Sequence, residues 1–177
     1  MISKLIKYTV MSVAAVSSYS CHSSFDDHSH AKEINIPQYF KQEIQKLEKL
    51  NPQVSKTVNN NDQKENRIVE NINWEKELAQ FTTIDLNKNN FDSMTKDSVN
   101  KVVTYSLSNK NKDTLIVKVI YGEDEIQALD IKKRVNYILF SNDERLYYES
   151  GKKYLLQKSQ HILGLGERKY YIEGNIQ

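Results

Sequence analysis

One cysteine, Cys21, occurs in 177 residues, and the chain after it is free of thiol. That excludes a disulfide, a thiolate metal site and a catalytic cysteine from everything downstream. Proline is almost as scarce. Pro37 and Pro52 are the only two, so no proline interrupts the chain beyond position 52. No apolar run approaches the ~20 residues that a helix needs to cross a bilayer. The sequence also lacks the G-x-S-x-G, H-E-x-x-H and P-loop patterns that announce a nucleophile, a catalytic zinc or a phosphate cradle. An enzyme is therefore not expected, and a hydrolase would have to rest on dispersed carboxylates. No cofactor is expected either.

What precedes Cys21 is organised. Lys4 and Lys7 give a positive start, Tyr8 to Val16 is a short uncharged stretch, and Ser17, Ser18, Tyr19 and Ser20 lead into the cysteine. This is the layout of an export signal over residues 1–20, and a cysteine at the cleavage point suits a lipoprotein. Its thiol can take diacylglycerol and its freed amine a further acyl chain such as palmitate. At about 0.8 kcal/mol per buried CH₂, two or three chains hold a protein on a membrane. The expectation is lipidation at Cys21 and attachment to the outer membrane, with the periplasmic or surface side left open. Without residues 1–20 the chain loses two lysines and no acid, and 23 basic and 23 acidic residues remain. A neutral chain of interspersed charge argues against nucleic acid as a partner.

Residues 21–36 read as a flexible tether, and 37–177 as a single domain. In the tether, His22, Asp26, Asp27, His28 and His30 have the right atoms for a transition metal. Ligands clustered in sequence on a polar spacer supply no preformed geometry, so a solvated spacer is the expectation and no metal site is assigned.

A first helix follows, with Pro37 in its opening turn and Phe40, Ile44 and Leu47 at i, i+4 and i+7. Asn51-Pro52 stops it. Residues 53–70 hold β-branched runs on both sides of Asn59-Asn60-Asn61-Asp62, which suggests a hairpin. A continuous helix over 37–70 is the rival, though Asn-rich sequence is poor helix material. A second helix is capped by Asn73 and presents Trp74, Leu78 and Phe81. Asn87 to Asn100 reads as a polar connection anchored by Phe91 and Met94.

From Lys101 the apolar period becomes two. Strands are expected through Val103–Leu107, Leu115–Tyr121, Ile126–Val135, Tyr137–Phe140, Leu146–Tyr148, Tyr154–Lys158 and Tyr170–Ile176. Short polar turns separate them, including one at Ser141-Asn142-Asp143. The expected fold is α+β: an antiparallel meander of about six strands with two N-terminal helices packed on it.

The segment Trp74-Glu75-Lys76-Glu77-Leu78, Phe81 and Asp85-Leu86-Asn87-Lys88, joined to the lipid signal, resembles the uncharacterised small lipoproteins of Bacteroidota. The closing strand with Tyr170, Ile172 and Gly174 is similar to theirs. Asn89-Asn90 stands where that family often has Pro-Ala. The resemblance implies a lipid-anchored α+β domain with a tyrosine-rich sheet, and it brings no reaction.

Within the domain His161 is the only histidine, and it reads as a strand residue at the sheet surface. Gly164-Leu165-Gly166 reads as a hairpin loop rather than a phosphate loop. Tyr147 with Tyr148, and Tyr170 with Tyr171, must point to opposite faces. Most of this aromatic area is expected to be cross-strand packing. Tyr148 and Tyr171 are the candidates for a ligand-facing surface that could meet an envelope protein, peptide or glycan. The functional expectation is a non-catalytic binding or interaction module. The alternative is a carrier holding an apolar ligand in a curled sheet.

Overall fold

A computed structural model describes residues 34–61, 63–87, 91–123 and 125–177. Cys21, the segment 1–20 and the His22–His30 cluster lie outside the described residues, which belong to one unit, Glu33–Gln177.

Helix α1 spans Ile36–Leu50. The Asn35 side chain accepts the Gln38 N–H at 2.9 Å, and Pro37 occupies the first turn, where a missing N–H costs nothing. Ile36, Phe40, Ile44 and Leu47 are buried, and Asn51, at φ 43°, ends the helix in the left-handed region before Pro52. The next segment is a hairpin, not a helix. Strand β1 (Val54–Asn60) pairs in full antiparallel register with β2 (Gln63–Val69), from Val54 opposite Val69 to Asn60 opposite Gln63.

The expected second helix is instead two single turns, α2 (Trp74–Glu77) and α3 (Ala79–Thr82). Asn73 caps α2 as expected, accepting the Lys76 N–H at 2.9 Å. The hydroxyls of Thr82 and Thr83 donate back to the carbonyls of Ala79 and Gln80, both at 2.8 Å, and this competition with the backbone accompanies the helix end at Thr82.

The remaining strands are β3 (Ser93–Val99), β4 (Val102–Ser108), β5 (Thr114–Tyr121), β6 (Ile126–Asn136), β7 (Phe140–Glu149), β8 (Lys153–Ile162) and β9 (Gly166–Ile176). All nine join one antiparallel sheet in the order β2-β1-β9-β8-β7-β6-β5-β4-β3. The α+β class holds, whereas about six strands behind two N-terminal helices does not. Only α1 precedes the sheet, because the β1–β2 hairpin separates it from α2 and joins the sheet beside β9. Strand β3 runs through the segment expected as a polar connection. It is exposed along its whole length and sits at the sheet's edge, so it carries no alternation to read.

One turn is also displaced. The expected turn at Ser141-Asn142-Asp143 lies inside β7, and the chain reverses at Tyr137-Ile138-Leu139, where Tyr137 N–H donates to Phe140 O at 2.8 Å. At the neighbouring β8–β9 turn, Gly164 and Gly166 take φ of 80° and 85°, as a hairpin loop requires.

The helices cover one face of the sheet. Successive cross-strand rows on that face are Lys56–Gly174–Tyr154–Tyr148–Leu129–Val119, then Val58–Ile172–Leu156–Leu146–Ile131–Val117, then Asn60–Tyr170–Lys158–Glu144–Lys133–Leu115. Most of the first row lies in the core under the helices. Phe40 packs against Phe81 and Tyr148 at centroid distances of 4.6 and 5.1 Å, and Trp74 meets the edge of Tyr154 at 6.2 Å. Each aromatic buried this way contributes on the order of 4 kcal/mol of transfer free energy.

Candidate functional site

Two carboxylates reach down from the helices into the first row. Glu43 of α1 is buried, and its Oε2 accepts the Tyr148 hydroxyl at 2.7 Å and the Ser150 hydroxyl at 2.8 Å. Glu77 of α2 accepts the Tyr154 hydroxyl at 2.6 Å, and the Lys56 ammonium lies 2.6 Å from the same oxygen. Each carboxylate sits three residues after a buried aromatic, Phe40 or Trp74, and so shares the inward side of its helix. Burial, reinforced by the hydrogen bond to its carboxylate, pushes the phenol of Tyr148 well above the ordinary tyrosine range, and that of Tyr154 likewise. Burial first, then the charge of Glu43, does the same to Tyr39. The Tyr148 and Tyr154 phenols are donors locked to carboxylates, poorly suited to exchanging protons.

Gly174 makes room for this arrangement. It stands directly opposite Tyr154 on β9, and a Cβ there would overlap the tyrosine ring. The ring lies across the glycine, which is why the row tolerates three large side chains abreast.

Below the first row, between α2 and strands β7–β9, the helical layer stops short. The result is a recess of about 280 Å³ with Leu146, Leu156 and Ile172 along its floor. Glu77 and Gln80 form the helix wall. On the outer side stand Tyr170, 41% exposed, and Lys158, whose ammonium lies 3.2 Å from Glu144. The recess is apolar at its base and charged at its rim, and both rim acids are already paired with cations.

The structure separates the two tyrosines expected to face a ligand. Tyr148 is fully buried under α1 and is part of the core, so it offers no surface. The readable signal was its parity with Leu146, which fixes it to the apolar side. Tyr171 does lie on the opposite face, half-buried, with its hydroxyl donating to Glu173. Burial and that hydrogen bond push its phenol up to about 12. The hydrogen bonds that Lys153 and Tyr171 donate hold Glu173 below the usual carboxylate range, with Lys153 also 2.7 Å away in an ion pair.

The opposite face is laced with such pairs. Arg145 grips Asp130 with two hydrogen bonds of 3.1 and 3.2 Å, and Arg134 holds Asp143 at 2.6 Å. Exposed pairs like these contribute at most about 1 kcal/mol each, and they describe a solvated surface. His161 is an exposed residue of β8 and does not line the recess.

Among the described residues no three of His, Cys, Asp or Glu converge as metal ligands, and no helix is long and apolar enough to cross a membrane. No known protein family, curated protein or solved structure matches the chain.

Proposed function

We propose that this is a lipid-anchored protein of the cell envelope, attached to the outer membrane through Cys21, whose domain binds a partner in the recess beside α2 and catalyses nothing. The observation that carries the binding reading is the chemistry of the recess. Its floor is apolar, while Glu77 and Glu144 are held by Lys56 and Lys158 and so serve the architecture. A volume of about 280 Å³ falls just below the ~300–1,000 Å³ of small-molecule sites, which suits one side chain of an extended peptide or one sugar ring. With β2 and β3 at its two edges the sheet does not close into a barrel, and this favours the binding module over the apolar carrier. The anchor rests on the sequence around Cys21 and on the resemblance to Bacteroidota lipoproteins.

The test has two arms. Metabolic labelling with an alkynyl fatty acid should mark the wild-type protein and leave Cys21→Ala unmarked. If Cys21→Ala lacking residues 1–20, and so without other membrane attachment, still partitions into detergent as wild type does, the anchor reading falls. For the recess, the lipidated protein is used to capture peptides and glycans from envelope extracts. Tyr170→Ala and Lys158→Glu should each lose the captured species, and Tyr171→Ala on the far face should keep it. Equal retention by all three variants would remove the recess from consideration.

A further inference from the structure

At the end of the sheet away from α1, two adjacent turns carry side chains that the fold does not use. Ile138 is 98% exposed, Leu165 76%, Leu163 71% and Leu139 65%, with Tyr137 beside them. The β6–β7 turn (137–139) and the β8–β9 turn (163–165) are tied together, since Leu163 N–H donates to Leu139 O at 2.9 Å. Turns are ordinarily built from Gly, Asn, Asp, Ser and Pro, and 137–139 contains none of them. Contiguous exposed apolar side chains of this kind mark a contact surface. We propose that these two turns form a tip that inserts into the lipid bilayer beside the anchor.

Three observations select a membrane as the occupant. The patch protrudes. Ile138, almost wholly exposed, has no neighbouring wall, and a fluid bilayer accommodates such a projection whereas a protein partner would need a matching hollow. Next, the composition is graded from the tip inward. Tyr137, stacked on Phe140 at 4.4 Å, sits where an interfacial aromatic belongs. Behind it the two hairpins hold six cations against three carboxylates over residues 132–144 and 158–169, a surplus suited to anionic headgroups. Finally, the lengths agree. Twelve residues lie between Cys21 and Ile34, a reach of up to ~45 Å when extended, while the eleven residues of β9 span ~37 Å. An acyl chain at Cys21 and the tip can therefore reach the same bilayer. This last point rests on the lipid-anchor reading; the first two do not.

The experiment places the reporter at the tip. Lipidated protein carrying Ile138→Trp is incorporated into vesicles of phosphatidylethanolamine and phosphatidylglycerol, with or without brominated acyl chains. Trp74 is buried and supplies a constant background. The new tryptophan should be quenched by brominated chains, which shows the tip within the hydrocarbon. In the unacylated chain from position 21 onward, Cys21→Ser, the further change Ile138→Asp with Leu165→Asp should lower partitioning into the same vesicles roughly tenfold or more, with the thermal transition unchanged. The acylated protein held on vesicles with its Ile138→Trp unquenched would overturn the tip and leave the anchor standing. Tip quenching in a protein whose Cys21 proves unmodified by mass spectrometry would do the reverse. Vesicle-free self-association that the aspartates abolish, without quenching, would assign the tip to a second copy of the chain and also overturn the proposal.

Discussion

At one end of β7 and β8, Tyr148 and Tyr154 lie fully buried, their rings packed under Phe40, Phe81 and Trp74 and their hydroxyls held by Glu43 and Glu77. At the other end of the same strands the turns hold Ile138, Leu163 and Leu165 out in water. Both ends are rich in large apolar side chains. The difference lies in what covers them. Helices reach the first end, and the Tyr148 and Tyr154 hydroxyls they bury there find carboxylate partners, so aromatic area becomes stability. Among the described residues no helix covers Ile138, Leu163 or Leu165 at the second end, so their apolar area contributes little to the fold. A residue's hydrophobicity says how much free energy is at stake, and topology decides where it is realised.

Ionising the covered end should break the contrast most severely. Below pH 10 the Tyr148 and Tyr154 protons are held in native and unfolded states alike. Above it the unfolded chain releases them, while burial keeps them bound in the native state. The unfolded state then binds fewer protons, and stability falls as pH rises, by roughly 1.4 kcal/mol per unit for each tyrosine. Urea unfolding between pH 9 and 12 should show this loss, with phenolate absorbance rising together with unfolding. A Tyr148→Phe, Tyr154→Phe double variant should show a shallower decline.

Next in size is Gly174→Val. Its side chain would occupy the space of the Tyr154 ring, and overpacking of this kind costs about 3 kcal/mol or prevents folding. Thermal unfolding checks it, and a transition close to wild type would mean that Tyr154 does not lie across β9. Tyr148→Phe alone removes one donor from buried Glu43 and should cost about 1–2 kcal/mol in urea unfolding. Tyr171→Phe removes the comparable bond to Glu173 on the solvated face, and there water replaces it at a cost of about 0.5 kcal/mol or less. The smallest effect belongs to the bare end. Ile138→Ser should leave stability within about 0.5 kcal/mol of wild type, since its side chain touches nothing. A large loss there would mean that the tip is covered by its own domain.

Local signals carried much of this architecture. The i, i+4, i+7 series of Phe40, Ile44 and Leu47, the Asn73 cap and the alternation of β4 to β9 are written in short windows, and the structure follows them. The β1–β2 hairpin was readable from its Asn-rich centre. Strand β3 was not, because an exposed edge strand has no apolar face to alternate. The turn at Tyr137–Leu139 was misread for the opposite reason, since its apolar residues imitate a strand while Ser141-Asn142-Asp143 imitates a turn. The recess was out of reach altogether. It exists where the helical layer ends, and the Tyr154–Glu77 bond that fixes α2 over it joins positions 77 residues apart.

The place of β1 has a further consequence. Its register with β9, Val54 opposite Ile176 and Asn60 opposite Tyr170, joins segments more than a hundred residues apart. During synthesis β1 and β2 emerge early and can pair with each other, but an isolated hairpin is only marginally stable in water. One flank of β1 must stay unpaired until β9 has been made, offering bare amide and carbonyl groups to any passing strand. Contacts of such long sequence separation also form slowly. The newborn chain therefore passes through an interval in which it is open to chaperones, and to self-association, in a way the finished protein is not.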